Sequence, residues 1–346
     1  MCVALRALRT DDPDELREHH IAGENGAHDK IAVIRIEGVL MEGSTRFYIK
    51  QIEQAAKDDR VKAIVLRIES PGGTITASEE IHRLLTQLRD GKLRKFPDGK
   101  PRKLIVSMGA IAASGGYYIA MPAEKIFAEK TCITGSIGVY ASLPNVAELI
   151  NRNGIKFELI KAGGIKASGS PFHELTPQER QPWQEMVDAA YDGFLDTVVA
   201  GRPQLTKPML RDGAIVRDRI AIRDDKGNLV KDWWGQTRKV EYVRYRADGG
   251  TFTAPEAKKY GLIDDIGDLD DAIDAAAVSA KLTWFQAVHY EKPATFLNSL
   301  IGIQANPAAH SLDPKRLSHG LSPRLWFLSS QADLSGILSA MGSERP

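Results

Sequence analysis

The chain has 346 residues, 43% hydrophobic and 26% charged, which is ordinary globular composition with ample length for a large core. Its formal net charge of +1 gives no global reason to expect nucleic acid or an acidic surface as a partner. Two cysteines, Cys2 and Cys132, are too few for a disulfide framework and read as reduced thiols, Cys132 packed and Cys2 solvated.

Residues 1–29 are polar, with Gly23 and Gly26 as punctuation, and read as a loose arm with one short helix. On a helix the adjacent His19 and His20 would point apart, which argues against a metal pair. The opening "MCVALRALRTDDPDELREHH" turns charged too soon for a signal peptide, and no run of about 18 apolar residues offers a membrane span. The expectation is a chain soluble as given and cytoplasmic, or membrane-associated if an N-terminal anchor lies outside it.

"IAVIRIEGVL" (31–40) alternates like a strand and ends at a glycine turn. "RFYIKQIEQAAKDD" has helical spacing, and "VKAIVLRI" (61–68) is an apolar run of strand length. In "ESPGGTITASEEIHRLLTQLRD", Thr76 and Glu79 fit a capping box. Ile81, Leu84, Leu85 and Leu88 then form a buried helical stripe with His82 beside it. The strand "KLIVSM" leads into "GAIAASGGYYIA" (109–120), whose end continues as helix. "KIFAE" (125–129) and "IKFELIK" (155–161) read as strands, with the glycine-punctuated "TCITGSIGVY" (131–140) between them. Thr176 as N-cap, Pro177 and Glu179 open a long helix that Pro182 kinks or delays.

This alternation over 31–200 predicts an α/β layered architecture with largely parallel strands. Residues 203–250 break the rhythm and read as an inserted β-hairpin turning at "DDKGN". Its arginines and Trp233–Trp234 are either a binding surface or part of a plain solvated hairpin. "FTAPEAKKYGLIDDIGDLDDAIDAAA" restores helix, Gly261 stop, short strand and helix. Beyond Pro293 the chain is rich in Pro and Ser, apart from the apolar patch "LWFL" (325–328). That patch reads as a docking element for a neighbouring subunit or as a strand completing the fold. The organisation is an arm (1–29), a catalytic core (30–202), an insertion (203–250), the rest of the core (251–292) and a tail (293–346).

Three glycine-rich places carry possible chemistry. In "SPGGT" (70–74), Pro71 fixes φ and Gly72–Gly73 allow unusual geometry, so freed N–H groups can face a negative oxygen; a tight strand-to-helix turn is the plain alternative. Ser114 at a strand-to-helix junction is either an N-cap or a nucleophile kept approachable by small neighbours, with the Gly115 N–H available for an oxyanion hole. Only the last glycine of G-x-S-x-G is present, so this is not an α/β-hydrolase signature. Lys166 lies in the small-residue loop "IKAGGIKASGSPF" (160–172), which fails the phosphate-loop pattern. No His–Asp pairing is suggested for Ser114, whereas a lysine freed of its proton by burial can serve as base if another group, such as Ser136, orients it.

In order, "SPGGT", "AASGGYYIA", "ITGSIGV" and the lysine loop ending in "SPF" resemble the S49 peptidases, the signal peptide peptidase A family of serine–lysine proteases. "FTAPEAKKYGLIDDIGDLDDAI" resembles that family's C-terminal segment, so the likeness covers about 31–201 and 251–280. The resemblance implies a ClpP/crotonase-like fold of repeated ββα units in a ring-like homo-oligomer. By motif, Ser114 looks like the nucleophile, Lys166 the general base, Ser136 the serine that orients the lysine, and Gly73 and Gly115 the oxyanion donors. The implied reaction is hydrolysis of unfolded polypeptide or released signal peptide through an acyl-enzyme, with no metal or cofactor and no nucleic acid partner. In long members of the family the lysine can come from a neighbouring subunit; here self-contained sites in a ring are expected, with adjoining subunits shaping the groove. Small residues around Ser114 suggest a narrow groove preferring small or apolar side chains near the cut. The alternatives are a crotonase-like acyl-CoA enzyme and a non-catalytic oligomeric scaffold. "LWFL" is a possible plug, and deleting residues 321–346 would then raise activity.

Overall fold

The computed structural model describes residues 16–96, 99–292 and 324–328. Its frame is a nine-stranded sheet. The first half of the chain supplies β1 (Arg17–Gly23), β2 (Asp29–Glu37), α1 (Thr45–Lys57), β3 (Val61–Ser70), β4 (Gly72–Thr74), α2 (Ile75–Arg89), β5 (Lys103–Ala113), α3 (Gly115–Tyr118), β6 (Lys125–Ala128), β7 (Ile133–Gly135), β8 (Tyr140–Ser142) and α4 (Ala147–Arg152). The second half supplies α5 (Pro177–Gly201), α6 (Lys207–Arg211), β9 (Ala214–Ala221), β10 (Lys239–Tyr245), β11 (Thr251–Thr253), α7 (Ala254–Lys259), β12 (Asp265–Ile266), α8 (Leu269–Ser279), β13 (Phe285–Glu291) and β14 (Arg324–Leu328).

The spatial order is β1-β13-β2-β3-β5-β6-β12, with β7 joined to the far end of β5 and β11 joined to β7. From β13 to β12 every neighbouring pair is parallel, while β1 and β11 pair antiparallel at the margins. Both faces are covered, which explains the nearly continuous apolar runs of β2 and β3. Ala32, Ile34, Ile36, Ile64, Leu66 and Ile68 point into the large cluster with α1, α2 and α3. Their alternates Ile31, Val33, Ala63 and Val65 point the other way, onto Ala272, Ile273 and Ala276 of α8. Each of the Ile, Leu and Val side chains among them, fully withdrawn from water, contributes about 1.5–3 kcal/mol. Cys132 is buried, and burial pushes its thiol up to about 12, so it packs rather than reacts. Cys2 lies outside the described residues.

Four sequence expectations are corrected. Arg17–Gly23 is an edge strand on β13 rather than loose arm or helix, and its backbone pairing fixes it despite polar composition. There His19 stacks on His289 at 5.5 Å while His20 bonds the Gly23 carbonyl at 3.0 Å. The cap of α2 is Thr74, whose Oγ1 accepts from the Ala77 N–H, not Thr76; Glu79 instead accepts from the Tyr118 hydroxyl. The segment 155–161 alternates like a strand but pairs with nothing among the described residues, leaving Ile155, Phe157, Leu159 and Ile160 exposed. The helix α5 runs unbroken through Pro182 rather than starting after it, the ring removing one N–H donor from the second turn.

Residues 214–245 form a separate two-stranded ribbon of β9 and β10. Its loop folds into two successive turns, one closed by Asp224 and Asn228 within "DDKGN" and one by Asp232 and Gln236. Trp233 and Trp234 stand at the second turn, 93% and 82% exposed. A third sheet, β4-β14-β8, lies against α2 and α3 and includes the tail patch. No helix among the described residues is long and apolar enough to cross a membrane.

Candidate active site

Strand β5 runs beyond its partner β6 and pairs in parallel with β7, setting Ala113 opposite Gly135. The next residue, Ser114, donates its N–H to the Gly135 carbonyl at 2.8 Å and turns sharply, with φ 54° and ψ −115°. A positive φ is costly for serine and is held here by structure on both sides. Behind it, Tyr118 N–H bonds the Ser114 carbonyl at 2.8 Å, closing α3. The buried Tyr117 ring anchors that helix through a 2.7 Å bond from its hydroxyl to the Leu262 carbonyl. The Ser114 hydroxyl is buried and has no hydrogen-bond partner among the described residues. An orphaned buried hydroxyl costs stability, so its retention asks for a functional reason.

The two glycines after Ser114 answer a packing demand. A Cβ on Gly115 would lie 2.5 Å from Ser78 Oγ and 3.1 Å from the Gly73 nitrogen. One on Gly116 would lie 2.5 Å from the Ser70 carbonyl oxygen. Only bare backbone lets α3 nest against the turn between β3 and β4. That turn is braced by Ser70, whose Oγ donates to the Gly38 carbonyl at 2.6 Å and accepts from the Gly72 N–H at 3.1 Å. Leu40 bonds the Gly72 carbonyl and the Thr74 N–H, both at 2.8 Å, so the intervening Gly73 turns its own N–H and C=O to the opposite edge. The Gly115 nitrogen is 2.7 Å from where a Gly72 Cβ would sit. The backbone nitrogens of Gly73 and Gly115 are therefore neighbours beside Ser114.

Ser136 follows Gly135 on β7 and also has positive φ, 53°. Its N–H bonds the Gly250 carbonyl at 2.9 Å and its Oγ donates to the Gly249 carbonyl at 3.0 Å. A cavity of about 610 Å³ opens beside it, between Tyr140 and the α5 residues Val187 and Tyr191. Lys166 is not brought to either serine. It is exposed on an irregular segment, and its side chain makes no hydrogen bond or ion pair among the described residues. The four remaining predicted residues, Ser114, Ser136, Gly73 and Gly115, do come together.

A buried serine hydroxyl without a partner, the strained turn that sets it and two backbone donors at its side form an arrangement suited to acyl transfer. A model of peptidase family S49 matches residues 97–218, which include Ser114, Ser136 and Lys166. A protein of Synechocystis sp. named "Putative protease slr0021" is 34% identical over 253 residues, covering 73% of this chain and 75% of that protein. The chain belongs to peptidase family S49. It is thus a peptidase, and other relatives agree. Protease 4 of Salmonella typhi is 31% identical over 78% of this chain, which spans 38% of protease 4. The chloroplastic serine protease SPPA of Arabidopsis thaliana is 27% identical over 91% of this chain and 42% of its own length.

Sequence reading of this S49 peptidase missed the residues that hold the lysine segment. Glu179 reads as a helix cap, and it is one. It also takes Lys161 Nζ at 3.2 Å and His173 Nε2 at 3.2 Å, both from the segment flanking Lys166. Ser168 Oγ donates to the Glu179 carbonyl at 2.9 Å and accepts from Trp183 Nε1 at 2.8 Å. The Thr176 N–H first of all, then Lys161 and His173, outweigh burial and hold the Glu179 carboxyl down at about 2. The T-x-x-E cap pattern is visible in the sequence; its second use is not, because Lys161 and His173 reach it only through tertiary folding.

Proposed function

We propose that this S49 peptidase is a serine endopeptidase with a Ser114–Lys166 dyad, acting on unfolded polypeptide or released signal peptides. The observation that carries the reading is Ser114 itself: a strained turn, a buried hydroxyl without a partner, and the Gly73 and Gly115 nitrogens beside it. The large, mostly parallel sheet, with the short strand β4 and the helix α2 after β3 and the short helix α3 after β5, supports a ClpP/crotonase-like arrangement.

In this mechanism Lys166, as a neutral amine, takes the Ser114 proton while Oγ attacks the peptide carbonyl carbon. The Gly73 and Gly115 N–H groups hold the oxyanion; one such donor is typically worth about 10²–10³ in rate. The lysine passes the proton to the leaving amine, and water then releases the acyl group from Ser114. Ser136 orients the lysine once it arrives. Lys166 must move to do this, or a lysine must come from an adjoining copy. The exposed apolar segment 155–161 just before it supports a subunit contact there, in keeping with a ring-like homo-oligomer.

Hydrolysis of casein by folded wild type, Ser114→Ala and Lys166→Ala tests the dyad. Wild type cuts, and each variant falls by about 10³-fold or more. Retained activity in Lys166→Ala would remove the lysine from the mechanism. Mixing the two inactive variants restores activity only if serine and lysine are shared between copies.

A further inference from the structure

The ribbon of β9 and β10 ends in two turns of one geometry. In the first, Asp224 Oδ1 accepts from the Lys226 N–H at 2.9 Å and the Asn228 N–H at 2.8 Å, and the Gly227 N–H bonds the Asp224 carbonyl at 2.9 Å. In the second, Asp232 Oδ1 accepts from the Trp234 N–H and the Gln236 N–H, both at 2.9 Å, and the Gly235 N–H bonds the Asp232 carbonyl at 3.0 Å. Gly227 and Gly235 share the same positive φ, 81° and 79°. Between the aspartate and the glycine stand Asp225–Lys226 in the first turn and Trp233–Trp234 in the second. The turn therefore asks for nothing aromatic, since an Asp–Lys pair closes it equally well. Both indoles project into solvent, and neither stacks on a ring or hydrogen-bonds through its nitrogen among the described residues. Two adjacent side chains of this size, left in water and not needed by their own turn, point to a partner.

The surroundings of the pair say which partner. Residues 219–239 carry six cations, Arg219, Arg223, Lys226, Lys231, Arg238 and Lys239, against the carboxylates of Asp224, Asp225 and Asp232, a net +3 in a chain whose total is +1. All six cations are exposed, and none forms an ion pair among the described residues. Asp224 and Asp232 are turned onto their own backbone N–H groups, so the charge presented outward is mostly positive. At its root the ribbon is clamped, with Arg244 paired to Asp248 and lying 4.7 Å over the Phe252 ring.

We propose that the Trp233–Trp234 turn docks the peptidase on an anionic lipid surface, with the indoles in the headgroup layer and the six cations over the lipid phosphates. Indoles favour that layer because the ring is apolar while its N–H can still bond to water or headgroups. Lys and Arg beside a negative bilayer each add to the attraction. A protein partner fits less well. Two tryptophans bury about 300–500 Å² between them, short of the roughly 800 Å² that each side of a stable protein interface gives up. A bilayer needs no matching pocket and accepts a narrow tip. The proposal does not depend on Ser114 or Lys166. It would set the peptidase beside a membrane by a ribbon that stands outside the nine-stranded sheet.

Flotation of the full chain with vesicles tests this, using phosphatidylcholine alone and phosphatidylcholine mixed with anionic phosphatidylglycerol. Wild type floats with the mixed vesicles, and the binding weakens as salt rises. The double variant Trp233→Ser/Trp234→Ser binds the mixed vesicles about tenfold more weakly or worse, with the wild-type melting point, because the turn does not need the indoles. Lys231→Gln/Lys239→Gln keeps both tryptophans and loses about fivefold in binding per cation removed. Tryptophan emission of wild type shifts to the blue on the mixed vesicles, and that shift is lost in the tryptophan variant. Failure of wild type to float with the mixed vesicles overturns the proposal, as does equal flotation of wild type and the tryptophan variant. Equal binding to neutral and mixed vesicles removes the anionic lipid from it. If sedimentation without lipid shows an assembly that the tryptophan variant breaks, the pair joins copies of the chain and the lipid reading is wrong.

Discussion

Gly115 and Gly116 show how a single atom governs this site. Adding a methyl at Gly116 sets carbon 2.5 Å from the Ser70 carbonyl oxygen, where neither backbone yields cheaply. Gly116→Ala is expected to lower stability by about 1–3 kcal/mol. It should also displace the Gly115 N–H, cutting turnover by more than it cuts stability. Gly193 is the contrast: it sits on the exposed side of α5 with nothing within 4 Å of its missing Cβ. Gly193→Ala should stabilise the fold by about 0.5–1 kcal/mol with turnover unchanged. Urea midpoints and casein rates on the two variants check both statements, and equal effects would mean that the nesting of α3 is unimportant.

At the scale of elements, the segment 155–175 is tied to the start of α5 chiefly through Glu179. Its carboxyl is held well below the ordinary value of 4.5, at about 2, so its contacts favour the ionised form. Their contribution is whole above pH 4.5 and drains away as the pH falls towards about 2. Glu179→Gln should therefore melt earlier than wild type at pH 6, with the two melting points converging by about pH 2. Because Lys161 and His173 both meet its carboxylate, Glu179→Gln should also slow hydrolysis at neutral pH, by loosening the segment that carries Lys166. A constant gap in melting point across pH would assign the effect to the cap alone.

Over the whole molecule, the parallel sheet is covered on both faces, so the exposed apolar segment 155–161 stands out. Ile160 is 96% exposed. If this segment joins copies into a ring, sedimentation of wild type should show an assembly that Ile160→Asp shifts to smaller species; an unchanged distribution would place the contact elsewhere. Much of this architecture is legible in the chain itself. The apolar runs of β2 and β3, the helical stripe Ile81, Leu85 and Leu88, and the Thr176–Glu179 cap are local patterns, and local physics fixes them. The ordered glycine and serine motifs point to Gly73, Ser114, Gly115 and Ser136 from the sequence itself. Other features depend on partners distant in sequence. The strand Arg17–Gly23 exists because β13 pairs with it, and 155–161 lacks such a partner among the described residues despite its alternation. The tail patch "LWFL" could be singled out by its apolarity alone. That its Phe327 carbonyl meets the Gly73–Gly115 corner was decided only by tertiary structure, because register across 250 residues of chain is set by which edge is left unpaired and which pocket is open, and neither is written in a local pattern.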